Sequence, residues 1–330
     1  MLRHLGTCGL AAGADALTLN VGVPVVAAAC DGACWAAPAA TVERAGHRHR
    51  FAHLAPNALD DVVACVRGEC DEPQAGSGER GLTARLGRND GTLANVLAQG
   101  AYAACALATT LLPALIVEAV RAANIRELSA HLGGDTLIVR ADVTVRDLHL
   151  LEGDPHRLIE GILIACRATG VRSASVIIDD AAPNARTALT RALEDARAAG
   201  ILDGRALGGD AVTIEVHSAA AGVVVEGVDL EMLCAATTIF DSPPPPTKLI
   251  ALSGALSRVG LYEVPVDGAM TWAGVLAMAG VAPARVQALR VGHPGARLVL
   301  PEEFDRPLVR DALGAEVVVV GPDADLGSVS

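Results

Sequence analysis

The residues best able to do chemistry in this 330-residue chain are its cysteines, eight in all. Two short pairs stand out, Cys30 with Cys34 and Cys65 with Cys70, and Cys8 stands alone near the start. Thiolates close in sequence on a loop after a strand can ligate an iron–sulfur cluster or zinc. The competing reading is that cysteine is a common small buried residue. His47 and His49 flank Arg48; in a strand they would share one face as a metal pair, but a basic tetrad of this kind reads better as an exposed hairpin tip. Asp179 and Asp180 follow a strand and could bind metal or act as acid and base. Their place just before a helix favours a solvated turn. Gly133 and Gly134 form a short glycine turn beside a strand. They lack the fuller glycine spacing of a phosphate cradle.

The element that organises the chain runs from Leu150 to Gly170, LLEGDPHRLIEGILIACRATG. Asp154 is the expected N-cap and Pro155 the first helical residue. Leu158, Ile159, Ile162, Leu163 and Cys166 recur at helical spacing, and Gly170 closes the helix. A strand follows at Ala174 to Ile178, then a helix from Pro183 to Gly200 and a strand from Ala211 to His217. Helix, turn and buried strand in alternation predict an α/β fold over a parallel sheet.

Before this core, the sequence predicts a helix at Ala11 to Leu19, strands at Val23 to Ala28 and Ala39 to Arg44, and a helix at Asn57 to Val66. Residues 71–80, DEPQAGSGER, read as a linker, and SPPPP at 242–246 as a stiff second one. Thr92 to Val117 carries no charge, but its polar residues and Pro113 favour two buried helices over a membrane span. After the second linker come strands at Lys248 to Ser253, Arg258 to Val266, Val286 to Val291, Leu298 to Leu300 and Glu316 to Val320, around a short helix at Trp272 to Met278.

Composition narrows the function. Hydrophobic residues make up 52% but aromatics only 2%, so Ala, Val, Leu and Ile must build the core. A net charge of -12 opposes nucleic-acid binding. An apolar start interrupted by Asp15 does not read as a signal peptide, so a cytoplasmic protein with reduced or metal-bound thiols is expected.

These runs resemble a known family, the flavin-bearing, NADH-oxidising F subunit of respiratory NADH:quinone oxidoreductase, with relatives in NAD-linked formate dehydrogenases and bidirectional hydrogenases. LLEGDPHRLIEGILIACRATG is similar to the run after the family's flavin region, and the likeness continues through RAAGIL (Arg197 to Leu202) and Val212 to Val216. KLIALSGALSRVGLYEVPV (Lys248 to Val266) resembles its β-grasp ligand-binding domain. LGTCGLAAGADAL (Leu5 to Leu17) with AACDGAC (Ala28 to Cys34) resembles the thioredoxin-like [2Fe–2S] ferredoxin module. The resemblance implies a degenerate ferredoxin-type module over 1–72, a linker and helices over 73–112, a Rossmann-like FMN- and NADH-type domain over 113–241, and a β-grasp domain over 247–330. It also implies other subunits of a redox complex as partners, at the periphery of a membrane complex or in a soluble one.

The cofactor segments depart from the family pattern. Its glycine-rich flavin loop, of the type GRGGAGFPTG, corresponds to Asn124 to Gly134, NIRELSAHLGG, which keeps only Gly133 and Gly134. Its Asn-Ala-Asp-Glu segment is matched by Arg140-Ala141-Asp142-Val143, so Ala141 and Asp142 survive. Its Gly-Glu-Glu segment falls on Gly227-Val228-Asp229. Gly133, Gly134, Asp142, Gly227 and Asp229 are therefore vestigial cofactor-binding residues by this resemblance. For the [2Fe–2S] site, Cys30 and Cys34 match one ligand pair. The other falls on His4 and Gly9, with Cys8 displaced by one residue, which leaves Cys8, Cys30 and Cys34 as candidate ligands. The family's [4Fe–4S] domain would follow Ser330, so that cluster is expected to be absent. The expectation is a non-catalytic homologue; the alternative is a divergent NADH-dependent FMN oxidoreductase passing electrons to clusters.

Overall fold

The structure is a computed structural model that describes residues 1–44, 47–55, 59–69, 81–88, 90–122, 132–133, 135–141, 144–219, 227–240, 247–292, 297–308, 313–322 and 324. Both expected linkers, 71–80 and 242–246, lie outside the described residues. The chain divides into two compact units, Met1–Asp90 with Thr247–Ser330, and Gly91–Pro246.

In the first unit, β1 (Leu2–His4), α1 (Thr7–Ala11), β2 (Val26–Ala28), β3 (Ala40–Arg44), β4 (His47–Phe51) and α2 (Asp60–Arg67) come first. Their sheet has the order β2-β1-β3-β4, parallel between β1 and β2 and antiparallel elsewhere. The helix expected at Ala11 to Leu19 instead occupies Thr7–Ala11. Gly13 at φ +80 ends any continuation, because a left-handed residue breaks the hydrogen-bond ladder. His47 and His49 lie within β4 rather than at a hairpin tip, with His49 opposite Val42.

The second unit opens with α3 (Leu93–Ala98), α4 (Ala103–Thr110) and α5 (Pro113–Ala122). Two helices were expected here; the further break falls at Tyr102, which adopts φ +65 at the N-cap of α4. Then come β5 (Leu132–Gly133), β6 (Thr136–Ala141), α6 (Val145–Gly153), α7 (Pro155–Thr169), β7 (Ser173–Asp179), α8 (Pro183–Ala198), β8 (Thr213–Ala219), β9 (Val228–Asp229) and α9 (Leu230–Ala236). Strands β9, β6, β7 and β8 are all parallel, in that order, and β5 adds an antiparallel hairpin edge to β6. The parallel sheet read from the alternation of helix and strand is therefore present. The buried faces of β6 and β7 carry Leu137, Val139, Ala174, Val176 and Ile178.

Helix α7 is the central element. Asp154 caps it, accepting from Arg157 N at 3.3 Å, Pro155 opens it, and Gly170 closes it at φ +77. Leu150 to Gly153 belong to the preceding helix α6, so the single stretch read from sequence is a junction of two helices. Thirteen of the fifteen residues of α7 are buried, polar ones included. Gly161 lets α9 approach: a Cβ there would run into the Leu233 carbonyl.

The first unit is completed by β10 (Thr247–Gly254), β11 (Gly260–Pro265), α10 (Trp272–Met278), β12 (Ala288–Val291), β13 (Arg297–Val299) and β14 (Glu316–Val320). Their mixed sheet has the order β11-β10-β14-β12-β13 and packs its apolar face on Trp272, Val275 and Leu276 of α10. The free edge of β11 carries the N-terminal cysteine loop, with Leu261 N donating to Gly32 O at 2.9 Å and Trp35 N to Val259 O at 3.1 Å. Glu263 on the same strand accepts from Leu82 N and Thr83 N, both at 3.0 Å.

Candidate functional site

In an open parallel sheet, ligands bind beyond the carboxyl ends of the strands. Here that edge is formed by Arg140 and Ala141 of β6 and Asp229 of β9, with Arg140 and Asp229 in register. Gly134, Asp142 and residues 124–131 lie outside the described residues. Gly133 pairs with Thr136 in the β5–β6 hairpin, as an ordinary turn requires.

Gly227 and Asp229 are both taken up by the scaffold. A Cβ on Gly227 would sit 2.9 Å from Ile138 O and 3.1 Å from Ile138 Cγ2, so glycine is needed there for the chain to pass close to β6. Asp229 caps α9, its Oδ1 accepting from Glu231 N at 2.8 Å. It also takes a two-pronged contact from Arg146 Nη2, at 2.9 and 2.8 Å. Arg146 Nε donates to Asp147 Oδ1 at 2.8 Å, and Asp147 N donates to Thr144 Oγ1 at 3.2 Å. The side chains of Arg146 and Asp147 are 3% and 2% exposed, that of Asp229 25%. Two carboxylates and one guanidinium thus form a closed array just inside the strand ends.

Burial alone would lower the pKa of Arg146, but the carboxylates of Asp147, Asp229 and Glu231 outweigh it and hold the guanidinium well above its usual value. Asp229 is opposed by burial yet kept below the usual carboxylate range by Arg146 and by Glu231 N. Burial pushes Asp147 up to about 7, against the pull of Arg146. A raised carboxylate pKa means that the folded state holds the proton more tightly than the unfolded one. This group's contribution is therefore present below about pH 4 and is lost as pH rises to about 7. The unfolding free energy of the wild type relative to Asp147→Asn should fall across that window, with a limiting slope of about 1.4 kcal/mol per pH unit. Urea titrations at a series of pH values measure it; a flat or rising difference would contradict this assignment.

A second buried array lies along α7. Arg157 binds Asp154 Oδ2 through Nε at 3.0 Å and Thr237 Oγ1 through Nη1 at 2.9 Å. Tyr102 OH and His156 Nδ1 are 2.7 Å apart, and Cys105 N donates to Glu160 Oε1 at 3.4 Å. These groups tie helices together, and sequence periodicity gave no sign of them beyond polar residues on an apolar helix. Asp179 and Asp180 are a turn: Asp179 Oδ1 accepts from Ala181 N at 2.7 Å, and Asp180 meets Arg186 at 3.3 Å on the surface.

In the first unit the structure brings Cys8 and Cys34 together, their Sγ atoms within 4.8 Å of each other. A hydrogen bond with Cys8, burial, and the nearby Cys8, Cys30 and Asp31 all raise the Cys34 thiol. Cys30 is buried, and its Sγ accepts from Gly32 N at 3.4 Å. His4 has both ring nitrogens occupied, by Thr41 Oγ1 at 2.8 Å and Ala29 O at 3.4 Å, and burial lowers its pKa. Cys65 is disulfide-bonded and Cys70 lies outside the described residues, so the C-x4-C motif does not offer two thiolates to a metal. The disulfide at Cys65 departs from the expectation of reduced or metal-bound thiols; Cys8, Cys30, Cys34, Cys105, Cys166 and Cys234 are outside disulfides.

Of the described residues at the strand ends, Asp229 is engaged by Arg146 and Gly227 lies against Ile138. A [2Fe–2S] cluster needs four ligands. The described residues of this unit supply Cys8, Cys34 and Cys30, and His4 is held by hydrogen bonds.

Sheet order and helix placement define an α/β fold with a parallel sheet in the second unit. Residues 124–243 match the family model of the Nuo51 FMN-binding domain, of the complex I 51K type. Among solved structures, an NAD+-reducing [NiFe]-hydrogenase in the air-oxidised state is similar over 98% of this chain and 69% of its own, with 19% identity and a TM-score of 0.57. The same type of enzyme in the H2-reduced state gives 98%, 68%, 17% and 0.55. At these identities the likeness is one of fold. Among the described residues, no helix is long and apolar enough to cross a membrane.

Proposed function

We propose that this chain is a non-catalytic homologue of the NADH-oxidising F subunit, serving as a structural or regulatory subunit of a cytoplasmic redox complex. The reading rests on one observation above others: Asp229, the surviving acid of the family's nicotinamide-side segment, is engaged by Arg146 and by the N-terminus of α9. Gly133, Gly134, Asp142 and Gly227 are then remnants of an FMN and NADH site. Cys8, Cys30 and Cys34 are remnants of a [2Fe–2S] site. The thioredoxin-like, Rossmann-like and β-grasp domains, bounded as the sequence suggests, persist as docking scaffold. The similar fold of a chain in structures of an NAD+-reducing [NiFe]-hydrogenase supports a place beside other redox proteins.

The alternative, a divergent NADH-dependent flavin oxidoreductase, has the family match over 124–243 in its favour. NADH-driven reduction of ferricyanide by the full chain, purified with FMN added throughout, separates the two. The proposal expects a rate no higher than that of free FMN. Turnover that is saturable in NADH and proportional to protein would overturn it.

A further inference from the structure

Cys8 and Cys34 come from separate elements, each fixed by its surroundings. Cys8 lies in α1, whose Gly9 packs so closely under His4 that a Cβ there would meet the His4 carbonyl oxygen at 2.6 Å. Cys34 opens a single 3-10 turn, Cys34–Ala36, on the segment hydrogen-bonded along the edge of β11. Gly260 lets that segment lie flat, because a Cβ on it would collide with Gly32 O. The two sulfurs are hydrogen-bonded and within 4.8 Å. Closing to the S–S bond length of about 2.05 Å leaves at most about 2.7 Å to travel. Both residues are half-buried, whereas the other free cysteines, Cys30, Cys105, Cys166 and Cys234, are buried. A small molecule in solvent therefore reaches this pair before any other free thiol of the described residues.

We propose that Cys8 and Cys34 form a dithiol–disulfide redox centre that exchanges with small-molecule disulfides of the glutathione class. One protein thiol, deprotonated to solvent, attacks the small disulfide, breaks its S–S bond and releases one thiolate, leaving a mixed disulfide. The second protein sulfur displaces the remaining half, forming the Cys8–Cys34 bond. Two electrons pass from the protein dithiol to the small disulfide, and the two protons lost by the protein are regained by the two released thiols. The inference goes beyond the proposed subunit role and does not depend on it.

The test uses the full chain, reduced without air, freed of reductant and assayed for iron and zinc. It is incubated in glutathione buffers from fully reduced to fully oxidised, trapped with N-ethylmaleimide and mapped by peptide mass. The expected result is a Cys8–Cys34 linked peptide and the loss of those two alkylatable thiols, counted apart from the Cys65 disulfide, with Cys30 still alkylated after unfolding. Cys8→Ser should abolish the link and leave Cys34 carrying one glutathione. Cys34→Ser should give the mirror result if the first variant does not fold. Two free thiols at the oxidised end, two separate glutathione adducts, or a stoichiometric metal on the pair would each overturn the proposal.

Discussion

Replacing Arg146 by methionine is expected to remove about 3–5 kcal/mol of folding stability, the range for breaking a buried ion pair from one side. The loss comes from the carboxylates left behind. Asp147 is 2% exposed and Asp229 is three-quarters buried, and methionine offers neither a hydrogen bond. Without the guanidinium, Asp229 stays charged and uncompensated or takes up a proton, and the Asp147 carboxyl loses the partner that opposes its burial. Urea denaturation of Arg146→Met beside the wild type measures the difference. A change under about 1 kcal/mol would mean that the array is solvated and that Asp229 is open to a ligand after all.

The second large effect is steric. Gly161→Ala places a methyl group against the Leu233 carbonyl in the closest crossing of α7 and α9. Backbone cannot rotate away as a side-chain end can, so the helices must part, and overpacking of this kind removes about 1–3 kcal/mol. Thermal unfolding of Gly161→Ala should show it, with Thr190→Ala on the exposed face of α8 as a control expected within about 0.5 kcal/mol of the wild type. Equal melting of both variants would contradict the packing described. The two sites test different parts of one claim: Gly161 concerns the scaffold that was kept, and Arg146 concerns what now occupies the strand ends.

How much of this could be read from sequence follows from the range of the interactions. The caps of α7 are local, so Asp154, Pro155 and Gly170 were legible, as were α10 and β14, whose apolar patterns are uninterrupted. The parallel order of β6, β7 and β8 followed from strands separated by helices. The break at Tyr102 was not legible, because nothing in its type announces a left-handed backbone. Nor was the array at the strand ends. Arg146 and Asp229 are 83 residues apart, and only the fold makes them neighbours. The resemblance marked Gly227 and Asp229 as relics of a cofactor site; the structure places Gly227 close against Ile138 and pairs Asp229 with Arg146, contacts no spacing announced. Likewise Cys8, one residue out of place for a cluster ligand, still lies beside Cys34, a closeness that spacing could not foretell.

The measurement that bears most directly on the central claim is an equilibrium titration of the purified full chain with FMN, followed by quenching of flavin fluorescence and repeated with Asp229→Asn. The account predicts no saturable quenching by the wild type up to about 1 mM, a ceiling of about 4 kcal/mol of binding free energy, and none by the variant. Saturable binding near one flavin per chain in the micromolar range, weakened by Asp229→Asn, would contradict it, because it would show that the strand ends still hold the cofactor they resemble.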